Sequence, residues 1–388
     1  MLFRSEKFIS DKNYDEALQE CLRTNHNHLG LLLSHIVTSS SCVKQFQTNI
    51  AGIQTEGKIV DETSDENTES NPPLLSDVED DAVDGNKKIR VKLLTNWTSS
   101  RFLRELWNKM SQGNYTWNNI QIVLDDDPDY FVVINAPPVN ENPDPSKTIV
   151  FRMEPHMDKN VDRWKNWASP DPSKFLKVCY HTDEYNNNEW HLSKTYNELK
   201  TMKIEKNKDF DGAISTVLSA KYFDPGHIKR IDFVKFLERK KLPIHVYGDN
   251  KWCYVDYKGS PPPYQKDNAM FPYKYVFNCE NNSVKNYYTE KLIDGILSEC
   301  LVFYWGCYNV RDYIDERAFV YLELSNFEED YKKVKNAIEN NLWEERLPYI
   351  RLMKYKILNH LQFFPRLERI INKNVDQSYT EKVFDGKN

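Results

Sequence analysis

Short apolar segments alternate with amphipathic helical patterns from residue 87 onward, and few folds accommodate this order. In the first half, the pattern predicts strands at 89–94, 120–124, 130–134 and 148–152. A helix that begins at Ser99 or Ser100 would place Phe102, Leu103, Leu106, Trp107 and Met110 on one face. Strands that alternate with helices are typical of an α/β domain with a largely parallel sheet.

The same alternation begins again near Asp209. It predicts strands at 213–218, 243–247, 274–278 and 301–304, and helices from Asp224 to Lys240 and over 288–297. Two such units predict two Rossmann-like domains that face a cleft, with ligands at the carboxyl ends of the strands. We place these domains at 87–205 and 206–345, followed by a helical tail, 346–388, that packs back across them.

The amino-terminal part has a different character. Residues 1–50 are predicted to form a short helical extension, and a single helical hairpin is the alternative. Residues 51–86 are predicted to be an acidic, disordered linker, because Asp and Glu crowd between Glu56 and Asp84 and few large apolar residues remain. This composition favours a solvated spacer over an acidic interaction tail.

Composition excludes several classes of function. The chain has 52 Lys and Arg against 58 Asp and Glu, a net charge of −6, which argues against a nucleic-acid partner. Neither GxGxxG nor GxxxxGK[ST] occurs. The sequence contains no apolar run of the ~18 residues that a membrane span requires. Seven scattered cysteines without a CxxC pair favour a reducing compartment, so we expect a soluble, intracellular protein.

The densest group of candidate site residues lies between 273 and 291. The predicted strand delivers Glu280 and Asn281 to its carboxyl end, and a helix starts near Thr289. A helix amino terminus attracts anions and disfavours cations, so Lys291 is oddly placed in the first turn. An anionic ligand such as a diphosphate would resolve this conflict. The alternative is that Glu290 and Lys291 form a solvated helix start.

Several spaced pieces together resemble the signature of the α-1,3/4-fucosyltransferase family, glycosyltransferase family 10. They are Lys274 with Phe277, Glu280-Asn281, and Tyr287 to Lys291, followed by 301–306; upstream, 230–237 and 246–248 match two further segments. The resemblance covers roughly residues 125–345. Cys279 and Asn282 depart from the family pattern, and the signal anchor and paired cysteines of the Golgi members are absent.

The resemblance implies a two-domain GT-B-like fold and a role for each matched residue. Lys291 and Arg230 would hold the diphosphate of GDP-fucose, where charge-assisted contacts stabilise the departing GDP. Glu290 would accept hydrogen bonds from donor hydroxyls, with those of the ribose expected. Asn281 and Tyr287 would line the same pocket, although Tyr287 could instead be a core residue.

The resemblance also implies a catalytic base, and Glu154 occupies the matching position after the strand at 148–152. It would remove the proton from an acceptor hydroxyl as that oxygen attacks the anomeric carbon, with inversion in a single displacement. The alternative is a surface ion pair with Arg152. The implied activity is fucose transfer to an oligosaccharide or glycoprotein glycan, with an α-1,3 linkage expected. Another nucleotide-sugar donor and a non-catalytic interaction protein remain alternatives.

No metal or cofactor is expected. Asp125-Asp126-Asp127 could form the DxD metal site of other glycosyltransferases, but its position before Pro128 favours a polar turn. The histidines lack close metal-ligand spacing such as HxxxH. Trp164 and Trp167 follow Glu154 and could stack on an acceptor sugar, although core packing is the more common role of such residues.

Overall fold

The computed structural model describes residues 88–187 and 189–375. The predicted extension at 1–50, the predicted linker at 51–86 and the last part of the tail lie outside the described residues. The described residues belong to one compact unit. Within the described ranges, no helix has the length and apolar character needed to cross a membrane, and the cysteines are free thiols.

The first sheet has six strands in the order β2-β3-β1-β4-β5-β6. They are β1 Ile89–Thr95, β2 Thr116–Trp117, β3 Ile120–Val123, β4 Tyr130–Ile134, β5 Thr148–Phe151 and β6 Lys177–Cys179. All neighbours are parallel except β2, which pairs with β3 in the antiparallel sense at one edge. β5, which lies between β4 and the edge strand β6, is buried along its whole length, as expected for a sheet covered on both faces.

The second sheet has five strands in the order β11-β10-β9-β7-β8, and all of its pairings are parallel. They are β7 Ile214–Leu218, β8 Ile244–Gly248, β9 Tyr275–Cys279, β10 Leu301–Trp305 and β11 Phe319–Tyr321. The two most central apolar runs, β9 and β10, are fully buried. β7 to β10 agree with the four strands predicted in this half to within a residue at each end, whereas β11 was not among the predicted strands.

Each sheet contains one point at which the strand order reverses. In the first sheet β1 lies between β3 and β4, and in the second sheet β7 lies between β8 and β9. Open parallel sheets bind ligands outside the carboxyl ends of their strands at such switch points. The predicted fold class, α/β with two Rossmann-like sheets in a GT-B-like arrangement, is confirmed; the domain boundaries stay predictions.

The helices connect and cover the strands. They are α1 Ser100–Asn108, α2 Val161–Trp164, α3 Tyr196–Thr201, α4 Pro225–Arg239, α5 Asp267–Met270, α6 Glu290–Leu297, α7 Phe327–Glu339, α8 Leu342–Lys356 and α9 Phe363–Val375. Ser99 caps α1, since its hydroxyl accepts a hydrogen bond from the Phe102 amide at 3.2 Å. Leu103 and Trp107 are buried as predicted, but Phe102 is half exposed. The helical periodicity predicts the direction of the Phe102 side chain but not how much of that face of α1 the sheet covers.

The carboxyl-terminal helices contact residues of both halves of the described chain. The Trp343 indole at the start of α8 donates to the carbonyl of Glu299, just before β10. A π-helical segment, Ile357–Leu361, then joins α8 to α9. On α9 the ring of Phe363 lies 4.6 Å from that of Trp107, and Glu368 accepts a hydrogen bond from the Trp117 indole at 3.1 Å. The tail therefore contacts the second half of the chain through α8 and the first half through α9.

Candidate active site

A cleft of about 430 Å³ opens where the carboxyl ends of the two sheets meet. Asn96 after β1, Asn135 after β4 and Glu154 after β5 line one wall. Asn281 after β9 and the first turn of α6 line the other. The cleft therefore lies at the strand ends of both sheets, where the topology predicts a ligand.

The backbone of Glu154 is fixed by a hydrogen bond, and its side chain lines the cleft. The Asn135 side-chain oxygen accepts hydrogen bonds from the amides of Met153 at 2.8 Å and Glu154 at 3.1 Å. The walls around the carboxyl displace water, and this desolvation raises the pKa of Glu154, while Lys291 and Arg163 oppose the rise. A raised pKa makes the Glu154 carboxylate a better proton acceptor.

The alternative of a surface ion pair between Glu154 and Arg152 is wrong. In the described part of the chain, Glu154 forms no ion pair. The Arg152 guanidinium lies instead over the ring of Tyr180, 4.9 Å from its centroid.

On the opposite wall, a buried carboxylate fixes the start of α6. Glu280 is fully buried and accepts hydrogen bonds from the Thr289 amide at 2.8 Å and the Thr289 hydroxyl at 2.7 Å. Thr289 is also the N-cap of α6. The Nζ of Lys291 lies 3.6 Å from Glu280 and donates to Glu290 at 3.0 Å.

Lys291 is therefore compensated by the protein itself. Burial would lower the pKa of Lys291, but Glu290 and Glu280 raise it, so the amine stays charged. Glu290 and Lys291 are mostly buried, so they do not form a solvated helix start. The interpretation of Lys291 as a diphosphate ligand stays a prediction, and Lys291 already has Glu280 and Glu290 as counter-charges. A ligand at this position would instead meet a rigidly held ammonium group.

Glu290 belongs to a larger charged cluster. Lys266 lies 3.5 Å from Glu290 and 3.0 Å from the buried Asp294, and His191 approaches Glu290 at 4.0 Å. Burial would raise the pKa of Glu290, but Lys291, Lys266 and His191 lower it well below its usual range. Glu290 is therefore an ionised hydrogen-bond acceptor on the wall of the cleft.

Arg230 lies directly behind this wall. It is buried on α4 and donates to the Asn281 side chain at 3.1 Å and the Ser219 hydroxyl at 2.9 Å, while its Nε has no hydrogen-bond partner. Gly226, in the first turn of α4, lets this helix touch the loop after β9: a Cβ there would lie 1.8 Å from the carbonyl oxygen of Glu280. The close approach positions Arg230 against Asn281.

A second cavity, of about 530 Å³, lies at the carboxyl ends of β7 and β8. It is lined by Ser219, Gly248 and Asp249, among others. Because Arg230 bonds Ser219 at this cavity and Asn281 at the cleft, its guanidinium lies between the two spaces.

The structure thus brings together Glu154, Asn281, Tyr287, Glu290 and Lys291 in one cleft. Arg230 does not line the cleft itself but contacts Asn281, which does. Tyr287 is at once buried and part of the lining, so both interpretations of this residue apply.

Sequence reasoning missed several residues of the site. Asn135 follows a predicted strand, so the strand-end rule could have found it. Glu189, His191 and Lys266 lie in irregular segments, and no sequence signal marks them. Glu189 lines the cleft and accepts a hydrogen bond from the Trp107 indole at 2.8 Å. Together with Glu154 and Glu290, it gives the cleft three carboxylates.

The remaining candidates have structural contacts. Asp125 pairs with Arg90, Asp126 with Lys92 at 3.2 Å, and Asp127 with Lys147 at 3.7 Å. Trp164 lines the cleft and also packs on Met157 and Ala168, whereas Trp167 packs on Phe175 with ring centroids 5.5 Å apart. Among the described residues, no group of His, Cys, Asp and Glu could hold a metal ion.

Among known proteins, the chain is similar to several solved structures. No protein-family model matches the chain, and no curated protein matches its sequence. An α1,3-fucosyltransferase solved with GDP is 16% identical, with a TM-score of 0.44, over 78% of this chain and 94% of that one. A glycosyltransferase from Rickettsia africae is 11% identical, with a TM-score of 0.40, over 64% and 71%. An α-glucosyltransferase solved with UDP and DNA is 9% identical, with a TM-score of 0.45, over 74% and 100%. Similarity at these values says nothing about the donor or acceptor of this chain.

Proposed function

We propose that this chain is an inverting glycosyltransferase that moves fucose from GDP-fucose to a hydroxyl of an oligosaccharide or glycoprotein glycan. The observation that supports it is the meeting of Glu154 and Lys291 on opposite walls of one cleft. The fucosyl donor and an α-1,3 linkage come from the sequence resemblance, and no metal or cofactor takes part in the proposed reaction.

On the donor side, the diphosphate lies against the amino terminus of α6. Lys291 supplies a fixed positive charge there, and the amino-terminal end of the α6 dipole also favours an anion. Arg230 lies between the cleft and the second cavity, so a diphosphate beside it would join a sugar in the cleft to a nucleoside in that cavity. Glu290, kept ionised by its lysines, accepts hydrogen bonds from donor hydroxyls.

On the acceptor side, Glu154 is the base. The acceptor oxygen attacks the anomeric carbon and forms the new C–O bond while the bond from that carbon to the phosphate oxygen breaks. The electron pair of the broken bond leaves with GDP, and the acceptor proton passes to Glu154. Lys291 and Arg230 stabilise the charge that develops on the leaving diphosphate. The products are the fucosylated glycan, GDP and one proton.

Thermal unfolding with GDP, GDP-fucose and UDP tests the donor site. A ligand at about 100 times its Kd adds about 2.7 kcal/mol to the free energy of unfolding, which raises the Tm by roughly 5 °C in a chain of this size. We expect this rise with GDP and GDP-fucose, and its loss in Lys291→Ala. The comparison uses the ligand-induced shift, because Lys291→Ala also removes the cation beside Glu280 and one of the two lysines beside Glu290. The exposed Lys332→Ala is the matched control.

Transfer of fucose to a panel of glycans tests the reaction. Glu154→Gln should keep the GDP-induced shift and lose transfer by at least about a hundredfold. A rise in Tm with UDP alone would contradict GDP-fucose as the donor but would still be consistent with a glycosyltransferase. If none of the nucleotides raises the Tm, a non-catalytic interaction protein is favoured. Full transfer by Glu154→Gln would contradict its role as the base.

A further inference from the structure

One side-chain oxygen in the wall of the cleft has no partner among the described residues. Asn187 lines the cleft with 8% of its surface exposed, and its buried Oδ1 accepts no hydrogen bond from the described part of the chain. The neighbouring Asn186 differs, since its amide donates to the carbonyl of Cys179 at 2.8 Å. A buried polar atom without a partner costs free energy, and a ligand that supplies the missing donor removes this cost. The oxygen of Asn187 is therefore available to a ligand in the cleft.

Glu189 lies two residues further along and lines the same cleft. Its Oε2 accepts a hydrogen bond from the Trp107 indole at 2.8 Å, and its Oε1 lies 3.4 Å from Nε2 of His191. Burial would raise the pKa of Glu189, but His191 and the Trp107 indole lower it below its ordinary value. An ionised carboxylate offers about four lone-pair sites. Glu189 can therefore accept a hydrogen bond from a ligand and keep both of these contacts.

His191 connects this segment to the helix on which the diphosphate site is proposed. Its Nδ1 lies 4.0 Å from Glu290, while its Nε2 faces Glu189. Its backbone amide donates to the buried side chain of Asp294 in α6 at 2.7 Å. The two carboxylates of the cleft, Glu189 and Glu290, are thereby held on either side of one imidazole ring.

The other parts of the two substrates have spaces of their own. A third cavity, of about 680 Å³, shares Glu154 with the cleft, and neither Asn187 nor Glu189 lines it. An acceptor in that cavity would reach the carboxyl of Glu154 without contacting them. The nucleoside is assigned above to the second cavity, on the far side of Arg230. The acceptor atoms of Asn187 and Glu189 are therefore left to the sugar that the donor carries.

We propose that Asn187 and Glu189 are specificity-determining residues that bind hydroxyl groups of the donor sugar. One hydroxyl donates to the Oδ1 of Asn187, and a second donates to the charged carboxylate of Glu189. A pyranose with several hydroxyls, such as fucose, supplies both donors. This inference rests on the proposed function, because it takes GDP-fucose as the donor, and it assigns the residues that select the sugar.

Calorimetric binding of GDP-fucose to the full-length chain, compared with analogues that each lack one hydroxyl of the fucose, tests the inference. The wild type should bind an analogue that lacks a contacted hydroxyl at least about tenfold more weakly than GDP-fucose, because a buried acceptor is left unpaired. Asn187→Leu should bind GDP-fucose more weakly and no longer distinguish it from one of these analogues. Glu189→Gln should lose most of the discrimination against a different analogue, because the charged acceptor is gone.

Two exposed residues provide matched controls. Asn140→Ser and Glu205→Gln lie outside the cleft and should keep the discrimination of the wild type.

The Tm without ligand separates a ligand contact from a structural role. Asn187→Leu keeps the approximate shape of the side chain and removes a polar atom that has no partner, so the Tm of the ligand-free chain should not fall. GDP alone should raise the Tm of both variants by as much as that of the wild type, because GDP carries no fucose.

Three outcomes would overturn the inference alone: equal binding of GDP-fucose and all of its analogues by the wild type, wild-type discrimination in both variants, or variants that raise the KM for the acceptor with unchanged donor binding. A wild-type chain that binds neither GDP nor GDP-fucose would overturn the proposed donor site and the inference with it.

Discussion

The buried carboxylate of Glu280 accepts two hydrogen bonds from Thr289, one from its amide and one from its hydroxyl. Glu280 follows β9 and Thr289 caps α6, so this contact closes the loop between them and sets the direction in which α6 begins. Lys291 stands two residues further on. The position of the proposed diphosphate site is therefore determined by a buried carboxylate that does not itself line the cleft.

Replacing Glu280 should destabilise the chain even though it is not exposed to the cleft. Glu280→Gln keeps the shape but turns an amide NH₂ towards donors of Thr289, and we expect a loss of about 1–3 kcal/mol in the free energy of unfolding. Glu280→Ala, which also leaves Lys291 with one carboxylate fewer, should cost about 3–5 kcal/mol. Urea denaturation measures both. The exposed Glu316→Gln should change stability by less than about 1 kcal/mol, and wild-type stability in Glu280→Gln would refute the argument.

The acid limb of the pH profile should report Glu154. A base works only when ionised, and the raised pKa of Glu154 means that transfer is lost at a higher pH than an ordinary carboxyl of about 4.3 would give. Arg163 lowers this pKa, so Arg163→Gln should move the acid limb of kcat/KM to still higher pH. The exposed Arg311→Gln, which does not line the cleft, should leave the limb unchanged. A downward shift in Arg163→Gln would contradict the assignment.

The parts of the site that sequence predicts are those that depend on strand ends. Glu154 and Asn281 each follow an apolar run, and parallel topology brings such positions to one edge of a sheet. Sequence alone did not predict the charge state of Lys291, because Glu280 compensates it across a loop and Lys266 acts on its neighbour Glu290 from another segment. Phe102 shows a similar limit, since helical spacing gives the direction of a side chain but not what covers it.

The stability of the chain should fall in mildly acidic solution partly because of His181. Its ring nitrogens contact the carbonyls of Met153 at 3.1 Å and Asn286 at 3.3 Å, and burial lowers its pKa to about 4. Between about pH 6.5 and 4 the unfolded chain binds a proton that the folded chain does not. The free energy of unfolding should therefore decrease as the pH falls through this window, by at most about 1.4 kcal/mol per unit from this residue.

Urea denaturation at pH 7 and pH 5 measures this effect. His181→Gln cannot titrate, so its loss of stability between the two values should be smaller than that of the wild type. The comparison of the two losses removes the contribution of the carboxyl groups, which is common to both proteins. The pKa of His227 is also lowered to about 4, chiefly by burial, and a double variant should flatten the dependence further. Identical losses in wild type and His181→Gln would contradict the prediction.

The tail should stabilise the first sheet through Arg366. This side chain is 2% exposed, bonds Glu184 and Asn186 at 2.9 Å each, and lies over the ring of Phe151 in β5, 5.1 Å from its centroid. Since β5 leads directly to Glu154, loss of the contact should loosen the acceptor wall of the cleft while the donor wall keeps its own contacts.

Arg366→Ala should lower the free energy of unfolding by about 3–5 kcal/mol, because it removes a buried cation from its carboxylate and from two aromatic rings. Urea denaturation measures the loss, and the exposed Arg101→Ala on α1 is the matched control. GDP should raise the Tm of the variant by as much as it raises that of the wild type. At temperatures at which the variant is folded, transfer should decrease because Glu154 is less well positioned. Transfer at the wild-type rate in a destabilised variant would show that the tail supports the fold without positioning the base.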